Sequence, residues 1–367
     1  MAIKIARLEL ANIRAVHAFA KAYGIDCESN PCGTTDVVYD AKQWEMAQEA
    51  VKALQAAMPG DDASVYAFHS SEEVRERFYC GKGGDEGVCG GVSYEAGSIN
   101  AYKFTIGVLM LCLEKGLNLQ TNTPVTSVSR LSEGGYQVGT PRGTIRARRV
   151  VMATNGYTAH LLKRFQGVIV PLRGHVTAQR PGLNVPKDGL PGTYSFFYEK
   201  GFDYMIPRPK GCEFQGDVVI GGRLSSAVSE GLYEYGSTDD TAEDEDTMRD
   251  LHNTLPWYFG DNWGDDHSEG RVRHKWTGIM GYSPDGLPFV GEMPGGKDLW
   301  VSASFQGHGM AFCWMSARAL VEMMEGRDDE ELRRWFPGVF RIAEPRFDVK
   351  FDGRMPHTHG ESPAIKQ

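Results

Sequence analysis

Residues 304–311 read SFQGHGMA. Upstream, KDLWVSAS at 297–304 is apolar and rich in β-favouring residues, which predicts a strand; downstream, MAFCWMSARALVEMMEG at 310–326 carries apolar residues at helical spacing up to a stop at Gly326. A strand that enters a helix through Gly307, His308 and Gly309 brings bare backbone close to a neighbour and points a helix N-terminus at it. Such an end suits phosphate or any group carrying partial negative charge.

Two more turns of this kind lie outward from it. VVMATNGYT (150–158) reads as a buried strand leading into Thr154, Asn155 and Gly156, whose small side chains let backbone approach a planar ligand, and equally as a capped strand-to-helix turn. HKWTGIMGYSPDGLPFVGEMP (274–294) has Pro284-Asp285-Gly286 between two apolar flanks and reads as a hairpin-like connection.

Around these turns the periodicity changes in blocks. Residues 1–115 read as mostly helical, with LANIRAVHAFAKAYG, AKQWEMAQEAVKALQAAM, SSEEVRERFY and NAYKFTIGVLMLCLEKG at helical spacing and only DVVYD (36–40) as a short strand. From 117 to 155 the period moves toward two, which predicts strands and hairpins, and a second β-rich block covers roughly 168–224. The acidic run DDTAEDED (239–246) precedes a helical pattern and is expected as its solvated N-terminal turn. The fold class that follows is α/β of a mixed α+β kind, with one sheet interrupted by a second, mostly antiparallel domain.

Composition narrows the partners. The formal charge of −9 argues against nucleic acid, which needs clustered Lys and Arg, and the best basic cluster, RGTIRARR (142–149), alternates along an apparent strand as a solvated face. No apolar run is long enough to span a membrane, and the first twenty residues read as an amphipathic helix, so no membrane partner is expected. The 7 cysteines are scattered without any CxxC, which predicts reduced thiols, no zinc site and a cytoplasmic setting. HTH at 357–359 stands in a polar tail without a third ligand near it, so no metal is expected.

Taken together, in this order and spacing, these segments resemble the D-amino-acid oxidase (DAO) superfamily of FAD-dependent oxidoreductases, most closely its fungal type. The likeness runs through NLQTNTPVTSV, RARRVVMATNGYTAHLL, VPLRGH, FDYMIPRPKG, VVIGGR, WTGIMGYSPDGLPFVGEMP and LWVSASFQGHGM. It implies an incomplete FAD-binding Rossmann-like domain with an inserted antiparallel β-sheet substrate domain. The implied division is a mainly helical part at 1–92, FAD-binding segments at 93–170 and 276–340, a β-rich substrate domain at 171–275 and a tail at 341–367.

The resemblance also implies roles. Val125 matches the contact to the adenine end of FAD; Thr154, Asn155 and Gly156 match the turn against the cofactor; Gly307, His308, Gly309 and Met310 match the loop at the pyrimidine edge of the flavin ring. Tyr204, Arg208 and His308 are the implied catalytic group, with Arg208 a candidate for a substrate carboxylate, and Trp276 packs near the ring. Some relatives bond flavin to a Cys in the segment matching 276–285; Gly278 falls at that place, so FAD is expected to bind non-covalently. Relatives that hold a sarcosine carboxylate carry a Lys after Gly-His-Gly, where this chain has Ala311. The implied reaction is oxidation of a C–N bond of an amine or amino acid by hydride transfer to flavin, with oxygen as acceptor. The alternative is a truncated, non-catalytic member acting as a binding module.

The family's opening strand and GxGxxG do not occur in the sequence, and GKGGDEG (81–87) spaces its glycines differently after a polar helix. If that cradle supplies two or three charge-assisted hydrogen bonds, FAD binding is expected to weaken by about 3–9 kcal/mol. Apolar sheet edges are expected to stand uncovered.

Overall fold

The computed structural model describes residues 1–81 and 87–351. In chain order the elements are α1 (Ala2–Ala22), β1 (Asn30–Val38), α2 (Ala41–Ala57), β2 (Tyr66–Ser70), α3 (Ser71–Arg77), β3 (Gly90–Ser98) and α4 (Ala101–Glu114). There follow β4 (Ser127–Arg130), β5 (Tyr136–Thr140), β6 (Gly143–Ala147), β7 (Val150–Met152), α5 (Thr158–Leu161), β8 (Val170–Gln179), β9 (Gly192–Tyr198), β10 (Gly201–Pro207) and β11 (Val218–Gly221). The chain continues with α6 (Glu245–Phe259), β12 (Val272–Tyr282), β13 (Phe289–Met293), β14 (Gly296–Ala303), α7 (Gly309–Met324) and α8 (Glu330–Trp335).

Eight strands form one sheet in the order β12-β8-β11-β10-β9-β1-β3-β2. Every neighbour in it is antiparallel except β1 and β9, which run parallel. Two three-stranded sheets complete the architecture, β13-β14-β7 and β4-β5-β6, and in the first of them β14 and β7 are parallel. The fold is therefore mixed α/β with a large multi-stranded sheet.

The first hundred residues differ from the sequence expectation, because β1, β2 and β3 lie in the large sheet where only DVVYD reads as a strand. The reason is compositional. β3 is GGVSYEAGS and β1 opens NPCGTT, so neither shows the alternation of apolar and polar residues that marks a half-buried strand. Their pairing comes from tertiary context, with Val37 opposite Gly91 on one side and Phe196 on the other. β7 also departs from its reading as a buried strand. It is the edge of its sheet, with no strand paired to its outer side among the described residues, and Val151 is exposed. The segment after β12 is not a hairpin: β12 belongs to the large sheet and β13 to a small one, so the turn at 283–286 carries the chain between sheets.

Three cores hold these layers. One face of the large sheet, with Val37, Tyr194, Phe196, Met205 and Ile220, packs on α3 and on α6 through Leu251, Leu255, Tyr258 and Phe259. The rings of Phe196 and Tyr258 stack at 3.7 Å. α6 starts where the acidic run predicts, since Asp244 accepts from Thr247 N at 2.8 Å while Glu245 and Asp246 occupy the first turn. A second core joins α1 to α7 and α8 through Leu8, Phe312, Met315, Ala319, Leu332 and Phe336. A third lies under β7, β13 and β14. α4 buries no residue fully and leaves Tyr102, Ile106, Met110 and Leu113 at solvent.

All seven cysteines are free thiols. Among the described residues no helix is long and apolar enough to cross a membrane, and no group of three His, Cys, Asp or Glu is arranged to hold a metal ion. The HTH run at 357–359 and most of GKGGDEG, at 82–86, lie outside the described residues.

Candidate active site

Three turns that are far apart in sequence meet at one place. Asn155, with φ of 41°, turns its side chain onto the loop after β14, where its Oδ1 accepts from Ser304 N at 2.9 Å and Phe305 N at 3.2 Å. The third turn closes against both: Gly281 O accepts from Gln306 N at 3.0 Å, and a Cβ on Gly156 would lie 2.5 Å from Met280 O. Glycine is therefore required at 156 by close approach of backbone. Thr154 bonds to Thr158 at 2.9 Å between hydroxyls and so holds the start of the turn.

The loop 304–309 is strained in one direction, with φ of 64° at Ser304, 54° at Gln306 and 74° at Gly307. Two of these are not glycine, so something must hold them there. Gln306 does so from inside. Its amide accepts from Ser283 N at 3.1 Å and donates to Ser283 Oγ at 2.7 Å and Ser304 Oγ at 2.9 Å. The strand-turn-helix expected from the sequence is thus pinned to the turn after β12. Its tip, Gly307 and His308, stays exposed, as does Met310 in the first turn of α7. His308 Nδ1 lies 2.9 Å from Gln306 O. A carbonyl only accepts, so Nδ1 carries the proton of this bond. Asn12 on α1 fixes the helix start from behind, donating to Met310 O and accepting from Met315 N, each at 2.9 Å.

Tyr282 roofs this tip, since a Cβ on Gly307 would sit 3.1 Å from its hydroxyl. Burial pushes Tyr282 up to about 12, with a smaller push from the neighbouring Tyr204, which burial likewise raises to about 12. Both phenols stay protonated at neutral pH. The structure thus joins Tyr204 to Gly307 through Tyr282.

Tyr204 also belongs to a row that crosses the sheet. Asp36 on β1 is opposite Ser195 on β9, Ser195 opposite Tyr204, Tyr204 opposite Gly221, Gly221 opposite Val176 and Val176 opposite Trp276. Directly opposed residues share a face. Trp276 stands three strands from Tyr204, roughly 14 Å away, and packs on His274 at the sheet edge. Beyond it, the space over Gly278 is open, with nothing within 4 Å of a Cβ built there.

The remaining candidates stand apart. Arg208 is engaged: its guanidinium pairs with Glu28 at 2.8 Å and donates to Glu213 O at 2.9 Å, while Glu28 also pairs with Lys103 at 2.9 Å. Val125 lies half-buried on the segment entering β4.

Several residues at the site escape the sequence reading. Asp36 accepts from Tyr94 Oη at 3.2 Å and from Ser195; burial pushes it up to about 6 against those two bonds. Glu9 on α1 is raised by burial, and His308 opposes that shift. Gln306, Tyr282 and Asn12 complete the set. Asp36 had a signal, a carboxylate at the head of the short strand pattern DVVYD, and Gln306 had one in its place between Phe305 and Gly307. Asn12 had none, because one amide on an amphipathic helix looks like its polar face.

Comparison with known proteins supplies a frame for this geometry. The family model described as FAD dependent oxidoreductase (DAO) matches residues 2–323. Glycine oxidase of Pseudomonas aeruginosa is 27% identical over 226 residues, 60% of this chain and 54% of the relative. D-amino acid dehydrogenase of Paramagnetospirillum magneticum is 24% identical over 62% of this chain and 48% of its own length. In these matches the chain spans about half the length of its curated relatives. Among solved structures, glycine oxidase from Geobacillus kaustophilus superposes with a TM-score of 0.71 at 17% identity, covering 94% of this chain and 82% of the other. L-proline dehydrogenase from P. horikoshii superposes at 0.69 and 16%, covering 91% and 82%. These two show a shared fold.

Proposed function

The chain belongs to the DAO family of FAD dependent oxidoreductases, and from that premise we propose that it oxidises a C–N bond of a small amine or amino acid, with FAD bound non-covalently and oxygen as electron acceptor. The observation that carries the reading is the junction at Asn155, whose one side chain joins the turn after β7 to the turn before α7 and leaves the α7 N-terminus facing outward. When bound, FAD would supply the hydride acceptor for oxidation of the carbon bearing the nitrogen and the two-electron relay to oxygen that yields hydrogen peroxide, leaving an imine for water to hydrolyse.

The residues present fit the ring end of such a cofactor. A planar group needs backbone without side chains against it, which Gly278 offers, with nothing within 4 Å of a Cβ built there, while Gly156 and Gly307 let the turns carrying Met280 and Tyr282 pack close beside it. The first N–H groups of α7 have no partner inside the helix, so they and the helix dipole stabilise negative charge at the pyrimidine edge. Gly307, His308, Gly309 and Met310 form that edge contact, Thr154, Asn155 and Gly156 lie along the cofactor, and Val125 reaches the adenine end. His308 stands at the exposed tip of the loop, and the phenols of Tyr204 and Tyr282 wall the substrate side. Trp276 and the open space over Gly278 form the far wall. Arg208 positions the end of β10 through Glu28. The seven free thiols support a reducing compartment such as the cytoplasm, and the quoted segments support the fungal type.

The test is direct. The purified chain is titrated with FAD while flavin fluorescence is followed, desalted, and its visible spectrum recorded; the retained protein is then mixed in air with amines and amino acids, and peroxide is measured. Retained flavin and substrate-dependent peroxide are expected. Flavin that stays wholly free in solution would overturn the reading.

A further inference from the structure

α1 packs on α7 through one seam. Leu8, Asn12, Ala15 and Phe19 recur at spacings of four, three and four residues, which lines them up along one stripe of α1. Leu8 and Ala15 belong to the core that holds Phe312, Met315 and Ala319 of α7, and the Phe19 ring lies 4.6 Å from that of Trp314. The odd member of the stripe is Asn12, a polar amide that is 1% exposed. Burial of an amide among apolar groups costs free energy unless its donor and its acceptor are both used.

Asn12 uses both on the backbone of α7. Its Nδ2 donates to Met310 O and its Oδ1 accepts from Met315 N, each at 2.9 Å. Those two groups are five residues apart, one more than an ordinary helix bond spans, so the amide is inserted across the start of the ladder in α7. A shift of α7 along α1 by one residue, about 1.5 Å, would stretch both bonds beyond hydrogen-bond length and strand buried polar groups. An apolar side chain at this place has no such preference. One buried amide in an apolar seam therefore selects one register between two helices, at some cost in stability.

The register decides where α7 presents its free donors. Ala311 N turns back to His308 O at 3.0 Å, so among the described residues Gly309 and Met310 carry the N–H groups left for a ligand. The loop before them is pinned from the sheet side by Asn155 and Gln306, which act on residues 283 and 304–305. Asn12 holds the helix itself, from the opposite side. We propose that Asn12 is a positioning residue, which fixes the register of α7 on α1 and thereby sets the N–H groups of Gly309 and Met310 at the pyrimidine edge of the flavin. This deepens the reading of the site as an FAD site and rests on it.

The experiment compares the unaltered chain with Asn12→Leu, Asn12→Ala and Leu8→Val by thermal unfolding, by FAD titration with flavin fluorescence, and by hydrogen exchange of the FAD-free chain over residues 307–316. Asn12→Leu, which makes the seam wholly apolar, is expected to keep or raise the thermal midpoint. It should nonetheless bind FAD about tenfold or more weakly, and exchange faster at 307–316, because the donors are no longer held in one place. Leu8→Val lowers the midpoint without touching the amide and leaves FAD affinity within about threefold. A merely structural amide would change affinity only in step with stability. Unchanged FAD affinity in a folded Asn12→Leu overturns the assignment, and so does an equal loss in Leu8→Val. If Asn12→Leu does not fold, Asn12→Ala takes its place, and a loss of affinity no greater than that of Leu8→Val overturns the assignment. If even the unaltered chain takes up no FAD, the oxidoreductase reading falls and the exchange decides: faster exchange at 307–316 without the amide but not in Leu8→Val upholds Asn12 as the residue that sets α7, and equal rates overturn it.

Discussion

Asn155 Oδ1 lies 2.9 Å from the backbone nitrogen of Ser304, across a gap of 149 residues in sequence. The same atom accepts from Phe305 N, so two buried or half-buried N–H groups depend on one side chain. Asn155→Ala removes the one acceptor that both N–H groups share, and the expected loss of stability is about 1–3 kcal/mol. Urea unfolding followed by tryptophan fluorescence measures it. An Asn155→Asp variant, which keeps an acceptor at the same place, should recover most of that loss.

Gly307→Ala is expected to act at the tip of the same loop. Its φ of 74° costs a side-chain-bearing residue about 1 kcal/mol, and the new methyl would press on the Tyr282 hydroxyl. FAD affinity should fall by at least tenfold with little change in the far-ultraviolet circular dichroism. Unchanged affinity would show that the cofactor does not approach this loop.

Asp36 predicts an unusual pH dependence. Its folded pKa of about 6 lies above its ordinary 3.8, so the folded protein holds this proton more tightly than the unfolded chain. Stability from this group is therefore complete at acid pH and is lost as pH rises from about 4 through 6, by at most about 3 kcal/mol. Asp36→Asn, which cannot ionise, should raise the thermal midpoint at pH 8 and leave it nearly unchanged at pH 4. A larger gain at pH 4 than at pH 8 would contradict the assignment.

The buried carboxylate of Asp203 has the opposite character, since it is satisfied on every side. It accepts from Tyr258 Oη at 2.6 Å, Arg223 N at 2.8 Å and Tyr198 Oη at 3.2 Å, and pairs with the Arg223 guanidinium. Asp203→Ala leaves a mostly buried guanidinium without its carboxylate and the phenols of Tyr258 and Tyr198 without the acceptor they share. The expected cost is about 3–5 kcal/mol, visible as a lowered urea midpoint. Thermal stability equal to that of the unaltered chain would show that water replaces the carboxylate.

Much of this site was legible because it is made of turns. SFQGHGMA, VVMATNGYT and WTGIMGYSPDG each announce themselves by glycine beside an apolar run, and the structure brings all three together. Tyr204 was legible through its strand. What sequence hid are groups whose importance depends on what stands opposite. Asp36 acquires its role only when β1 pairs with β9, and Arg208 loses its availability only when Glu28 folds beneath it. Likewise β3 is a strand because its neighbours need one. Its own residues, GGVSYEAGS, give no alternation to read.

The single parallel contact in the large sheet also sets an order of assembly. β1 and β9 are direct neighbours although about 160 residues of chain separate them. During synthesis, α1, β1, β2 and β3 leave the ribosome with one side of β1 unpaired and keep it so until β9 has followed. Over that interval the apolar face carrying Val37 has neither Phe196 nor α6 against it, and the nascent chain is open to capture by holding chaperones. Closure of the β1–β9 pair is thus the step at which the two halves of the polypeptide first become one folding unit.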